Sequence, residues 1–245
     1  MTFPAGAADA RSGIIELTYV RMRNTQDAMA QRTNDYLAKS YLPAVQRAGA
    51  KHVGAFSPII GLGSPSTILL ADYPDASTWE AAGRKLSEDK EAQKAYDAVY
   101  GVSSLPFLRM ETMIFRGFPS VPMIEPPAAR EGNRSHVFEL RSYESTSPRS
   151  LARKIRMFEE GETALFRKIG MKVVFFGEAL AGPNLPQLTY MLAFDDAAHR
   201  DKAWAEFVAH PEWNKMKNMP GVSDGEIVSN ISNALLRPLP FSGIK

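Results

Sequence analysis

Glu162 lies one helical turn after Phe158 and one before Leu165 and Phe166, inside an apolar stripe. A carboxyl buried there without a partner would have its pKa raised, which suits a general base near neutral pH. The alternative is a place at the stripe's edge, or an ion pair with Arg141 or Lys172. His210 precedes Pro211 and lies near Trp204 and Trp213. An imidazole titrates near neutrality, so it could move a proton or ligate an iron axially. A residue before proline avoids the helix, so His210 is expected to cap or end one, with a structural hydrogen bond as the plainer role.

A strand-like alternation places Phe138 and Leu140 on one face and Glu139, Arg141 and Tyr143 on the other. If the apolar pair meets the helices, the polar trio faces whatever space the sheet encloses. There Arg141 could hold an acidic or carbonyl ligand, or simply pair with Glu139. Lys172 and Glu178 on a following strand are expected to share that space. Phe176 and Tyr190 are candidates to line a pocket or to fill the core. Asn230, with Ser232 and Asn233, sits on a predicted strand although these residues are poor strand formers, which points to a ligand-lined or wet face.

Other chemistries find no support. The 245 residues contain no cysteine, so thiolate nucleophiles, disulfides and cysteine metal sites are excluded. The histidines show no metal-ligand spacing, and the expectation is a protein without metal, nucleotide or other cofactor. Gly61-Leu-Gly-Ser64 falls between two strands and reads as a turn, not a phosphate loop. Lys plus Arg is 29 against 27 Asp plus Glu, a net charge of +2. That balance, with dispersed basic residues, argues against nucleic acid. No apolar run approaches the roughly 20 residues of a membrane-spanning helix. The small-residue-rich segment 1–13 reads as a loose tail, or as the remnant of a removed export signal; cytoplasmic and periplasmic locations both stay open.

The elements that must position these residues recur. On either side of the proline-rich stretch 119–135, the same blocks follow in the same order at an offset of about 121 residues. Ile15-Glu16-Leu17 matches Phe138-Glu139-Leu140, Ala48-Gly49 matches Ile169-Gly170, Asp75-Ala76 matches Asp196-Ala197, and Arg116-Gly-Phe-Pro119 matches Arg237-Pro-Leu-Pro240. Each block set reads strand, helix, strand, strand, helix, strand, the order of a ferredoxin-like unit. The predicted organisation is a tail at 1–13, a first unit at 14–118, a linker at 119–135, a second unit at 136–240 and a short tail at 241–245. Helices would cover one face of each sheet, and the bare faces would close on each other. The fold class is therefore α+β: two tandem βαββαβ units forming a pseudo-twofold barrel around a shared chamber.

Phe138-Glu-Leu-Arg-Ser-Tyr-Glu144, Gly170-Met-Lys-Val-Val-Phe-Phe-Gly177, Leu188-Thr-Tyr-Met-Leu-Ala-Phe194 and Phe207-Val-Ala-His-Pro-Glu-Trp213 together resemble the NIPSNAP family of the dimeric α/β-barrel superfamily. The first unit is similar to a diverged copy, with Asp89-Lys-Glu-Ala92 where the second has His210-Pro-Glu-Trp213. The resemblance implies the barrel fold, a bacterial tandem-domain type that is often exported, and homo-oligomers. It implies no single reaction. Three functions follow as expectations: binding or converting a small organic molecule in a barrel pocket, a non-catalytic adaptor role, and haem binding through His210.

Overall fold

The computed structural model describes residues 12–24, 28–101, 105 and 107–245. In chain order the strands are β1 (Ile14–Arg21), β2 (Val53–Ile60), β3 (Ser66–Tyr73), β4 (Arg109–Gly117), β5 (Val137–Ser145), β6 (Lys172–Ala181), β7 (Gln187–Phe194) and β8 (Val228–Pro238). The helices are α1 (Met29–Tyr36), α2 (Leu42–Ala48), α3 (Ala76–Glu88), α4 (Lys90–Tyr100), α5 (Pro148–Met157), α6 (Thr163–Lys168), α7 (Ala197–Ala209), α8 (Pro211–Lys217) and α9 (Asp224–Ile227). All strand pairings are antiparallel, and the sheet closes on itself in the order β4-β1-β3-β2-β8-β5-β7-β6. The predicted mixed α+β barrel is thus present.

Local chemistry sets the element ends. Asp75 and Asp196 cap α3 and α7, each accepting a backbone N–H at 2.8 Å, from Thr78 and His199. Ser147 caps α5 with Pro148 in its first turn. Gly170, at φ +87°, ends α6 in a conformation that costs glycine little. The sequence pattern of the first unit reads as a helix over about 25–48; residues 25–27 lie outside the described residues, and helix is described from Met29. Two features escaped the sequence pattern. Between α1 and α2 the chain makes a π-helical turn at Leu37–Tyr41, and between α5 and α6 it makes another at Phe158–Glu162. Such turns often mark functional positions.

The expected shared chamber is filled. Leu17, Phe56, Leu70, Phe115, Phe138, Leu140, Phe175 and Leu236, drawn from seven strands, form one buried cluster. The Phe56 and Phe138 rings, on the strands flanking β8, meet at 4.9 Å. An eight-stranded barrel is just wide enough for side chains to fill. The face assignment is reversed with it: Phe138 and Leu140 point into the barrel, whereas Glu139, Arg141 and Tyr143 point out towards the helices. A charge inside the barrel would be stripped of water among apolar neighbours. On the helix side Glu139 meets Arg200 and Trp204.

Neither the linker nor the C-terminal segment hangs free. Ile124 is buried in the barrel cluster, and its N–H donates to the fully buried Asp72 carboxylate at 2.8 Å. Ile244 is buried in the same cluster, and Ser242 Oγ accepts from Ala55 N–H at 2.9 Å. The segment expected as a tail therefore closes the barrel, because Ile244 finds the barrel core while Phe241 packs on the outer cluster of the first half. The other expected tail falls on residues 1–11 outside the described residues, while Gly13 N–H donates to Pro122 O at 2.9 Å. Replacing Ile244 with Ala should lower unfolding free energy by about 2–5 kcal/mol, the usual cost of truncating a buried aliphatic chain. Urea denaturation would read the loss; a free tail would give none.

Candidate functional site

Five of the predicted site residues meet in the second half, between the outer face of the sheet and its helices. Alternation along β5 puts Glu139, Arg141 and Tyr143 on that face, and Tyr190 joins them from β7 opposite Arg141. Glu139 is fully buried. Its carboxylate accepts from Arg200 Nε at 2.7 Å and Nη2 at 2.9 Å, Trp204 Nε1 at 2.7 Å, and Arg141 Nη1 at 2.9 Å. The Arg141 guanidinium lies 4.6 Å from the Trp204 ring centre, and its Nη2 donates to the Tyr143 hydroxyl at 3.3 Å. The Tyr143 and Tyr190 hydroxyls are 2.9 Å apart.

Glu162 ends the second π-helical turn and is buried against Lys154, not against Arg141 or Lys172. Lys154 Nζ donates to Glu162 at 3.3 Å and Asp224 at 3.1 Å, and the Tyr143, Phe158 and Trp213 rings surround it at 5.3–5.4 Å. Burial raises the Glu162 carboxyl above its usual range; Lys154 offsets this only in part, and the neighbouring Asp224 carboxylate adds to the rise. Burial alone would lower the Lys154 ammonium, but the two carboxylates raise it instead. Burial also pushes the Tyr190 phenol well up, with Tyr143 adding to the effect. This region is densely packed by Phe158, Phe166, Phe176, Phe207 and Trp213.

Of the remaining predicted residues Phe176 packs within this region and the others lie apart. His210 ends α7 and caps α8, its Nδ1 accepting from Glu212 N–H at 3.2 Å. Lys172 donates to Asp195 at 2.8 Å on the rim. Glu178 accepts from Arg116 at 3.1 Å across the β4–β6 seam. Asn230 is exposed where β8 runs past β2, donating to Glu144 at 2.8 Å. Phe176 belongs to the core, its ring 5.6 Å from that of Tyr190. Among the described residues no group of three or more His, Asp or Glu side chains is placed to hold a metal ion.

Open space is found among the described residues of the first half. A cleft of about 490 Å³ is lined by Glu16, Tyr41, Tyr73, Trp79, Gly83 and Leu86, with Glu80, Arg84 and Ser87 at its rim. Beyond Tyr41 a second space of about 300 Å³ is lined chiefly by Tyr36, Leu69, Tyr96, Tyr100 and Met110. Strand registers align the two halves. Glu16 pairs with Ala71 and Ile114 as Glu139 pairs with Leu192 and Leu235. Thr18 corresponds to Arg141 by the same registers. Counted from the capping aspartates, Trp79 corresponds to Arg200 and Gly83 to Trp204. Counted from the π-helical turns, Tyr41 corresponds to Glu162 and Thr33 to Lys154.

The exchange explains the cleft. A Cβ at Gly83 would meet nothing within 4 Å, whereas Trp204 fills the matching place. Glu16 keeps one hydrogen bond, from Trp79 Nε1 at 2.6 Å, and its half has neither guanidinium of the other. Burial lifts the Tyr41 phenol to about 12 and raises that of Tyr73, so both hydroxyls stay neutral at physiological pH. A half-buried carboxylate among neutral aromatics, with room beside it, can accept a hydrogen bond or a positive charge. The signal available in the sequence was the contrast between aligned copies: Glu16 retained opposite Glu139, and Gly83 standing where Trp204 stands.

Comparison with known proteins agrees with this architecture. Residues 138–243 match the family model described as NIPSNAP, so the second half carries a NIPSNAP domain. No curated protein matches the chain in sequence. Similar solved structures include a monooxygenase-like protein from Lactobacillus acidophilus NCFM, at 10% identity and a TM-score of 0.60, over 93% of this chain and 94% of that one. A monooxygenase-like protein from Fusobacterium nucleatum matches at 12% identity and a TM-score of 0.62, over 93% of each chain. An anthrone oxidase-like protein matches at 11% identity and a TM-score of 0.53, over 95% and 93%. At these identities the likeness is one of fold.

The buried network makes two predictions of opposite sign. Burial would raise the Glu139 pKa, but hydrogen bonds from Arg200 and Trp204, with the Arg141 charge, outweigh it and hold it below the usual range. Its stabilisation is then complete at neutral pH and is lost as pH falls through the depressed pKa. Glu139→Gln should cost about 3 kcal/mol at pH 7 by urea denaturation, and the gap from wild type should close in acid. Glu162 has its folded-state pKa raised, so it favours folding while protonated and loses that contribution as pH rises through the raised pKa. Stability profiles of Glu162→Gln and wild type should therefore diverge in that upward direction.

Proposed function

We propose that this chain, with its NIPSNAP domain over residues 138–243, binds a small organic molecule in the sheet-to-helix cleft of its first half. The two halves are read as copies of one βαββαβ unit, supported by their matching registers and π-helical turns. One copy has closed its cleft with its own side chains, and the other has kept it open. The observation that carries the proposal is the cleft itself: about 490 Å³, aromatic-walled, with the Glu16 carboxylate beside it. That volume falls within the range of ligand sites, which combine apolar walls with a few placed polar groups. The barrel neighbours are consistent with a scaffold that handles small molecules, and the reading invokes no metal or nucleotide. Glu16 is the group set to take a hydrogen bond or a proton from the ligand; the tyrosines and Trp79 would shield it from water.

The test is a thermal-shift screen of small amines, phenols and acids against the full chain. At a hundredfold excess over Kd, binding contributes about 2.7 kcal/mol, or a rise of roughly 5–10 °C in Tm for a chain of this size. Gly83→Trp should abolish that rise without unfolding the protein, since the added side chain enters open space and Gly is a poor helix former. A wild-type protein that responds to nothing, or a shift that survives Gly83→Trp, would contradict the proposal.

A further inference from the structure

We infer that the ligand of the first-half cleft is an organic cation, an amine or guanidine carried on an aromatic or apolar body. The inference rests on the cleft assignment above and names the chemistry that the cleft selects. Its basis is the other half of the same molecule. There the corresponding carboxylate, Glu139, is answered by the chain's own cations, with Arg200 at 2.7 and 2.9 Å and Arg141 at 2.9 Å. Those cations lie against aromatic faces: Arg141 sits over Trp204, and Lys154 is ringed by Tyr143, Phe158 and Trp213. In the first half the carboxylate is kept as Glu16, and aromatic walls stand beside it from other positions, Tyr41, Tyr73 and Trp79. The three cationic positions have become Thr18, Thr33 and Trp79. The bulk that closed the cleft has become Gly83.

What is missing beside Glu16, among the described residues, is a positive charge and the volume to carry it. A guanidinium or ammonium group placed beside Glu16 would make charge-assisted hydrogen bonds and rest against Trp79 and the tyrosine rings. An anion would meet Glu16 as a like charge. A neutral ligand would desolvate the carboxylate without answering it. Arg84 at the rim pairs with Glu80 on its own helix, on the exposed side.

Isothermal titration of the full chain with benzamidine, 2-phenylethylamine, benzamide and benzoate tests this. The two cations should bind at least about tenfold more tightly than neutral benzamide, as expected for ionised against neutral hydrogen bonds, and benzoate should not bind. Glu16→Gln can still accept the Trp79 N–H, so it should leave the melting temperature close to wild type and bring the cations down to the level of benzamide. Trp79→Arg places a guanidinium where Arg200 stands and should weaken cation binding about tenfold or more by self-occupancy. If benzamide or benzoate binds as well as the amines, or Glu16→Gln leaves the preference intact, the cation inference falls and the cleft assignment stands. If none of the four binds while other compounds in the thermal-shift screen do, the cation inference again falls alone. If nothing binds at all, both fall.

Discussion

A carboxylate on the first strand of each half, turned out of the barrel and under the helices, must be given a partner. That requirement organises the molecule. Burying an unpaired charge costs several kcal/mol, more than most single contacts return. In the second half the answer is internal. Glu139 draws Arg200 from α7 and Arg141 from its own strand, and Trp204 donates to it and lies against Arg141. The helix layer is thereby fixed to the sheet, and Phe166, Phe207 and Trp213 close around the junction. In the first half the Trp79 N–H is the one hydrogen bond Glu16 receives among the described residues, and the helix layer stands away from the sheet beside it.

The barrel makes this asymmetry possible. Its interior is a dry apolar cluster shared by both halves and closed by Ile124 and Ile244. To that shared cluster each half adds its own cluster between sheet and helices. One outer layer can therefore become a rigid ionic and aromatic assembly while the other retains a cleft. The π-helical turns at Leu37–Tyr41 and Phe158–Glu162 fall at matching places and aim their last residues, Tyr41 and Glu162, into these two layers. One faces open space and the other an intrachain ammonium.

The order of elements and the caps are legible in the sequence, because proline and glycine punctuation and period-two alternation are local signals. Alternation separates the two faces of a strand without saying which is inside. That is why Phe138 and Leu140 were assigned to the helices and Glu139 and Arg141 to the interior. Nothing local shows that eight strands close tightly enough to exclude charge. Glu162 was recognised as a carboxyl in an apolar stripe, but its partner Lys154 is half-hidden in the sequence by its exposed-looking neighbours Arg153 and Arg156. His210 drew notice through a motif and proved to be a helix cap. The cleft has no local signature, because no residue type or spacing in the first half marks an empty space. Gly83 is unremarkable alone and acquires meaning only beside Trp204.

A crystal structure of the full chain with 2-phenylethylamine bound tests the central claim most directly. The account predicts the ammonium within hydrogen-bond distance of Glu16, its ring against Trp79 and Tyr41, and the second half unchanged around Glu139 and Arg200. Ligand found inside the barrel, or beside Glu139 with the Arg200 pair displaced, would contradict it.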